Sequence, residues 1–106
     1  MRVLFDQGTP VPLRAHLAQH DIETAYERRW ATLKNGALLD AAEDEGFAVL
    51  VTTDVNLKHQ QNLASRRIAI VVLTRTSWPR NQRAVTTVAA AVHGASTGNH
   101  IEVEID

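Results

Sequence analysis

Three short apolar runs constrain this chain more than anything else in it. Val3-Leu4-Phe5, Ala48 to Thr52 (AVLVT) and Arg67 to Leu73 (RIAIVVL) are rich in β-formers and nearly free of polar interruptions. Such runs read as strands buried on both faces, since a strand with one wet face alternates apolar with polar residues. Two buried faces need cover on both, and the segments between the runs can supply it. Thr9-Pro10 reads as a helix start, with Thr9 as N-cap and Pro10 near the first turn, where its missing N–H costs nothing. That helix is expected to reach about His20, with Leu13 and Leu17 on one face. Asn35 reads as the N-cap of a helix through Glu45, closed by Gly46 in the left-handed C′ conformation. Further helices are expected over about Leu57 to Ala64 and Asn81 to Val92. Asp21 to Tyr26 and Ile101 to Ile105 alternate and read as short strands, the second at a sheet edge. Arg28 to Lys34, the Ser77-Trp78-Pro79 segment and Gly94 to Asn99 read as loops and turns.

The resulting order, βαβαβαβαβ, predicts a single three-layer α/β domain over residues 1–106. Its central, mostly parallel sheet of about five strands carries helices on both faces, with right-handed crossovers. A chain of 106 residues, 44% of them apolar, is long enough to bury a core of its own. The absence of cysteine excludes a disulfide framework, a thiolate metal site and a cysteine nucleophile. No apolar stretch approaches the ~20 residues of a membrane span, and the opening MRVLFD turns acidic too soon for a signal peptide. The chain therefore reads as cytoplasmic, with no membrane partner. The net charge of −1 gives no electrostatic reason to expect nucleic acid. The charge is nonetheless uneven. Arg66, Arg67, Arg75, Arg80 and Arg83 fall in one stretch, and Asp40, Glu43, Asp44 and Glu45 in another, which reads most simply as two solvated faces.

Two of the buried runs end in an aspartate, Asp6 and Asp54. Open parallel sheets bind ligands outside the carboxyl ends of their strands, where strand order reverses. Two carboxylates placed there suit a hard cation such as magnesium, which takes one or two carboxylates and completes its shell with water and phosphate. An aspartate after a strand is also a common N-cap, a role open to Asp54 three residues ahead of Leu57.

These residues carry a resemblance. Val3-Leu4-Phe5-Asp6-Gln7 is similar to the opening of PIN-like domains. Asn35 to Asn56 (NGALLDAAEDEGFAVLVTTDVN) resembles the middle of the same family, a helix, a turn, a buried strand and then Thr-Asp. Ala69 to Leu73 and the helix after it complete the likeness, which spans nearly the whole chain and is nearest to compact bacterial and archaeal PIN-like proteins. The resemblance implies a nuclease: a Mg²⁺- or Mn²⁺-dependent endoribonuclease, and the toxin of a toxin–antitoxin pair, with RNA as substrate and a small antitoxin-like protein as partner. It makes Asp6 and Asp54 the catalytic, metal-holding acids. A third acid is expected near the start of the second helix, where this chain has Asn35. Asparagine brings a carbonyl oxygen and no charge. Asn56 is a further oxygen donor, and Glu27 a distant stand-in. Asp40 lies about 500° of helical rotation beyond Asn35 and reads as solvated. The loss of one acid leaves an alternative, a degenerate PIN-like binding module that works through a partner protein or nucleic acid.

Other residues suit binding. Lys58 and His59 follow Asp54 and can reach phosphate, or form a polar helix face. Trp78, flanked by Arg75, Arg80 and Arg83, can stack a base or anchor a partner, or fold back over the sheet. His16 and His20 share the i, i+4 spacing of helical zinc ligands, without a glutamate or third ligand beside them. A homodimer is compatible with the edge strand Ile101 to Ile105, although Glu102 and Glu104 discourage strand pairing.

Overall fold

The computed structural model describes residues 1–106. The strands are β1 (Arg2–Phe5), β2 (Asp21–Thr24), β3 (Val49–Thr52), β4 (Ala69–Leu73) and β5 (His100–Val103). The helices are α1 (Asn35–Asp44), α2 (Leu57–Gln60), α3 (Trp78–Gln82) and α4 (Val85–His93), with 3₁₀ segments at Val11–Leu17 and Leu63–Ser65. All five strands are parallel, in the order β2-β1-β3-β4-β5. The order in which the chain adds strands reverses between β1 and β3, so the two strands that lead into Asp6 and Asp54 are neighbours at the switch point.

The central strands β1, β3 and β4 alternate between two cores. Val3, Phe5, Val49, Val51, Val71 and Leu73 face one side, where Leu13, Leu17, Val88 and Val92 cover them. Leu4, Leu50, Ile70 and Val72 face the other, under Leu38, Leu39, Ala42, Leu57 and Leu63. Burial on both faces explains why these strands read as unbroken apolar runs.

The connections depart from expectation in one respect. The β1–β2 and β4–β5 connections both pass over the Leu13/Val88 face, yet they step in opposite directions along the sheet. They therefore have opposite hands. The β2–β3 and β3–β4 connections cross the other face and share the hand of β1–β2. The four crossovers therefore cannot all follow the right-handed rule obeyed in about 98% of cases. The physical reason lies in what covers the first face. Without α4 it would have little beyond the seven-residue segment Val11–Leu17 and Trp78 of the short α3.

Several helix assignments need correction. The expected Thr9-to-His20 helix is a 3₁₀ segment, and Thr9 does not cap it: Pro10 holds the N-cap position, with no side-chain cap. Asn35 does not cap α1 either. Lys34 occupies that place, and Asn35 is the first helical residue, at φ +47°. Asparagine tolerates this left-handed region better than most side chains. The Leu57-to-Ala64 helix breaks after Gln60. The Asn81-to-Val92 helix is two helices separated at Arg83-Ala84, and the first begins at Trp78, inside the segment expected to be loop, because the Ser77 side chain caps it and Pro79 suits a first turn. The end of α1 is as expected. Gly46 takes φ +80°, and the N–H groups of Glu45 and Gly46 reach the carbonyls of Ala41 and Glu43.

Candidate functional site

Asp6 leaves β1 at the carboxyl end, and its N–H continues the ladder to the Val51 carbonyl at 3.1 Å. Its carboxylate turns inward. Oδ1 accepts from the Gly8 N–H at 3.2 Å and lies 2.8 Å from the Thr9 hydroxyl. Oδ2 accepts from the hydroxyl of Thr52 on the adjacent strand. The Thr9 hydroxyl is also 2.8 Å from the Val51 carbonyl and donates to one acceptor at a time. No cation pairs with Asp6. Burial accordingly pushes the Asp6 carboxyl above its ordinary pKa, and the hydrogen bonds from Thr52, Thr9 and Gly8 offset that only in part. Gly8 has its own constraint. A Cβ there would lie 2.4 Å from the Thr53 hydroxyl, so any side chain forces Thr53 to turn.

Asp54 stands after β3. Its N–H donates to the Thr52 hydroxyl at 3.0 Å, and its Oδ1 accepts from the Asn56 N–H at 3.0 Å. Thr52 thus connects the two acids, taking a hydrogen bond from the Asp54 backbone and giving one to the Asp6 side chain. Nothing in the linear sequence assigns Thr52 this role. Its only trace there is a threonine closing an otherwise apolar run.

Asp6, Asp54 and Asn35 line one cleft of about 210 Å³. Trp30, Leu33, Leu38, Leu50 and Leu57 give it apolar walls, and Lys34 lies on its border. A mixed cleft of this kind, with a few converging polar groups, is the usual form of a ligand site. A second hollow shares Asp6 and Gln7 with it and is bordered by Val11, Arg14, Tyr26 and Glu27.

The oxygen donors suit Mg²⁺ or Mn²⁺ in kind, being two carboxylates and an amide carbonyl. Nowhere do three His, Asp or Glu side chains gather as a metal cage. Magnesium does not need one, since substrate phosphate and water complete its shell.

The other candidate residues lie elsewhere. Asn56 is exposed at the start of α2, outside the cleft lining, and its side chain caps nothing. Lys58 is paired with Glu102 of β5 at 2.7 Å. Trp78 packs against the sheet and meets the His16 ring at 5.8 Å between centroids. Arg80 and Arg83 are exposed and without ion pairs. Glu27 is bound to Arg14, which holds its carboxyl down at about 2. Asp40 is exposed and pairs with Arg66. His20 turns from His16 to His93, with a ring nitrogen of each 2.9 Å apart. The run of five arginines is not one patch. Arg66 and Arg67 precede β4 and pair with Glu43, whereas Arg75, Arg80 and Arg83 follow it at the other end of the strand.

Comparison with protein-family models, with curated proteins and with solved structures finds no match for this chain. No helix is long and apolar enough to cross a membrane.

Proposed function

We propose that this chain is a PIN-like, Mg²⁺- or Mn²⁺-dependent endoribonuclease. One observation carries this reading: Asp6, a half-buried carboxylate without a cationic partner, shares a cleft with Asp54 and Asn35 at the switch point of a parallel sheet. In such a site a divalent ion supplies a nucleophile at neutral pH and charge stabilisation at the phosphate. The chain's own part is to hold that ion and orient the substrate. Asp6 and Asp54 provide the charge, and Thr52 with Thr9 fixes the Asp6 carboxylate. Asn35 offers a neutral oxygen, so the substrate phosphate provides the negative charge that a third acid would have given. A toxin role with a small antitoxin-like partner rests on the resemblance alone, and a homodimer on the edge position of β5.

The shortage of acids favours one second reading, a PIN-like module that binds a partner or nucleic acid without cutting it. The deciding assay is cleavage of mixed RNAs by purified protein with Mn²⁺, with Mg²⁺ and with chelator. The nuclease reading expects metal-dependent cleavage that Asp6→Asn and Asp54→Asn each abolish. A folded parent protein that cuts no RNA with either metal leaves the binding module as the account.

A further inference from the structure

The chain has eleven lysines and arginines. Arg2, Arg14, Arg28, Lys58, Arg66 and Arg67 are held in ion pairs. The other five, Arg29, Lys34, Arg75, Arg80 and Arg83, have no acidic partner and stand at the surface. Their distribution follows the topology. Arg29 and Lys34 lie in the connection that leaves the carboxyl end of β2. Arg75, Arg80 and Arg83 lie in the one that leaves the carboxyl end of β4. In the strand order β2-β1-β3-β4-β5, these connections stand on either side of the two that carry Asp6 and Asp54. From β2 to β4 is three strand spacings, about 14 Å.

The same edge carries the most exposed large aromatic ring. Tyr26 is 75% exposed, beside Asp6 in one hollow and beside Arg29 in the next. The β4 connection is braced. Asn81 is fully buried and donates to the carbonyls of Arg75 at 3.0 Å and Ser77 at 2.8 Å, and the Ser77 hydroxyl caps the Arg80 N–H. A connection held this way presents its cations in a fixed place, which lowers the ordering cost of binding a polyanion.

From this placement we infer a two-sided clamp for single-stranded nucleic acid: the unpaired cations beyond β2 and β4 hold the backbone on either side of the acids, and Tyr26 stacks a base. The strand must be single because a stacking ring needs an exposed base face, which a duplex does not offer. The inference rests on the nuclease reading for the identity of the polymer, but its test does not depend on cleavage.

The test is fluorescence anisotropy with a labelled oligouridylate in chelator, over a salt series, so that nothing is cut. Each phosphate of a single strand that is no longer neutralised by a side chain lowers the slope of log affinity against log salt by about 0.7. Arg29→Gln/Lys34→Gln and Arg80→Gln/Arg83→Gln should each lower it by about 1.4. Tyr26→Ala should weaken binding roughly ten-fold and leave the slope unchanged. Arg67→Gln, at the opposite end of β4, is the control and should bind as the parent does. A parent that binds no oligouridylate, which would leave these cations to an acidic protein surface, overturns the clamp. So does parent-like binding by any of the three loop variants, or a loss with Arg67→Gln equal to theirs. Cleavage by the same proteins with Mn²⁺ separates the two claims. Loop-dependent binding without any cleavage keeps the clamp and removes the nuclease, whereas cleavage indifferent to the loops does the reverse.

Discussion

Glu43 and Asp6 are both acids that take several hydrogen bonds, and they end on opposite sides of their ordinary pKa. The Glu43 side chain, 9% exposed, meets the Arg66 guanidinium at 2.9 Å and accepts from the N–H groups of Arg67 and Ile68. Burial alone would push its pKa up, but those interactions outweigh it and hold the carboxyl below the usual value. Asp6 receives comparable hydrogen bonds, from two hydroxyls and an N–H, but has no cation, and burial wins. Hydrogen bonds from neutral donors offset part of the desolvation of a carboxylate. A full positive charge is what tips the balance. Glu43 is therefore electrostatically complete within the fold, tying α1 to the turn before β4. Asp6 lacks a counter-charge, which a bound cation would supply.

Removing Glu43 should do the most damage. Glu43→Ala leaves the Arg66 guanidinium, whose side chain is 18% exposed, with only the exposed Asp40, and strands two backbone donors. A loss of about 2–3 kcal/mol is expected in urea unfolding at neutral pH. The lowered pKa sets the pH window. The contribution is present above the ordinary value of 4.5 and is lost as pH falls through the lower folded-state value. A variant as stable as the parent at neutral pH would mean that Glu43 is ordinary surface.

The opposite sign is expected for Asp6→Asn, with a smaller size. The amide keeps the shape and removes a half-buried charge that has no counter-ion, so stability should rise by about 1 kcal/mol at neutral pH, or roughly 4–8 °C in Tm. Here the raised pKa sets the window. Ionised Asp6 costs nothing below the ordinary value of 3.8, where it is protonated in both states, and the cost grows as pH rises through the folded-state value. The advantage of the variant should therefore vanish in acid. A destabilised Asp6→Asn at neutral pH would place Asp6 beside Glu43 as a structural acid and erase the contrast. Gain of stability on removing a site residue is the usual mark of a functional group.

The contrast also shows what the sequence could reveal. The strands were legible because burial on both faces leaves a local signature, as in Val49 to Val51 and Ile70 to Leu73. The helices were less so, because their ends depend on tertiary partners. Thr9 has the composition of a cap, but its hydroxyl is drawn to Asp6 and Val51 instead. Asn35, another cap by composition, turns to the cleft. Asp6 and Asp54 could be singled out because each closes a buried run. Their connection through Thr52 could not, since it spans two strands that only the sheet order makes neighbours. The arginine run misled because sequence proximity hides the length of β4, which separates paired Arg66 and Arg67 from unpaired Arg75, Arg80 and Arg83. Asn81 gave no signal at all: nothing local marks a buried asparagine that braces a loop.

Titration of Mn²⁺ into the parent and into Asp6→Asn, followed by calorimetry at neutral pH, tests most directly whether Asp6 awaits a cation. Saturable binding to the parent that disappears in the variant is the predicted result. No binding to the parent, or equal binding to both proteins, would contradict it.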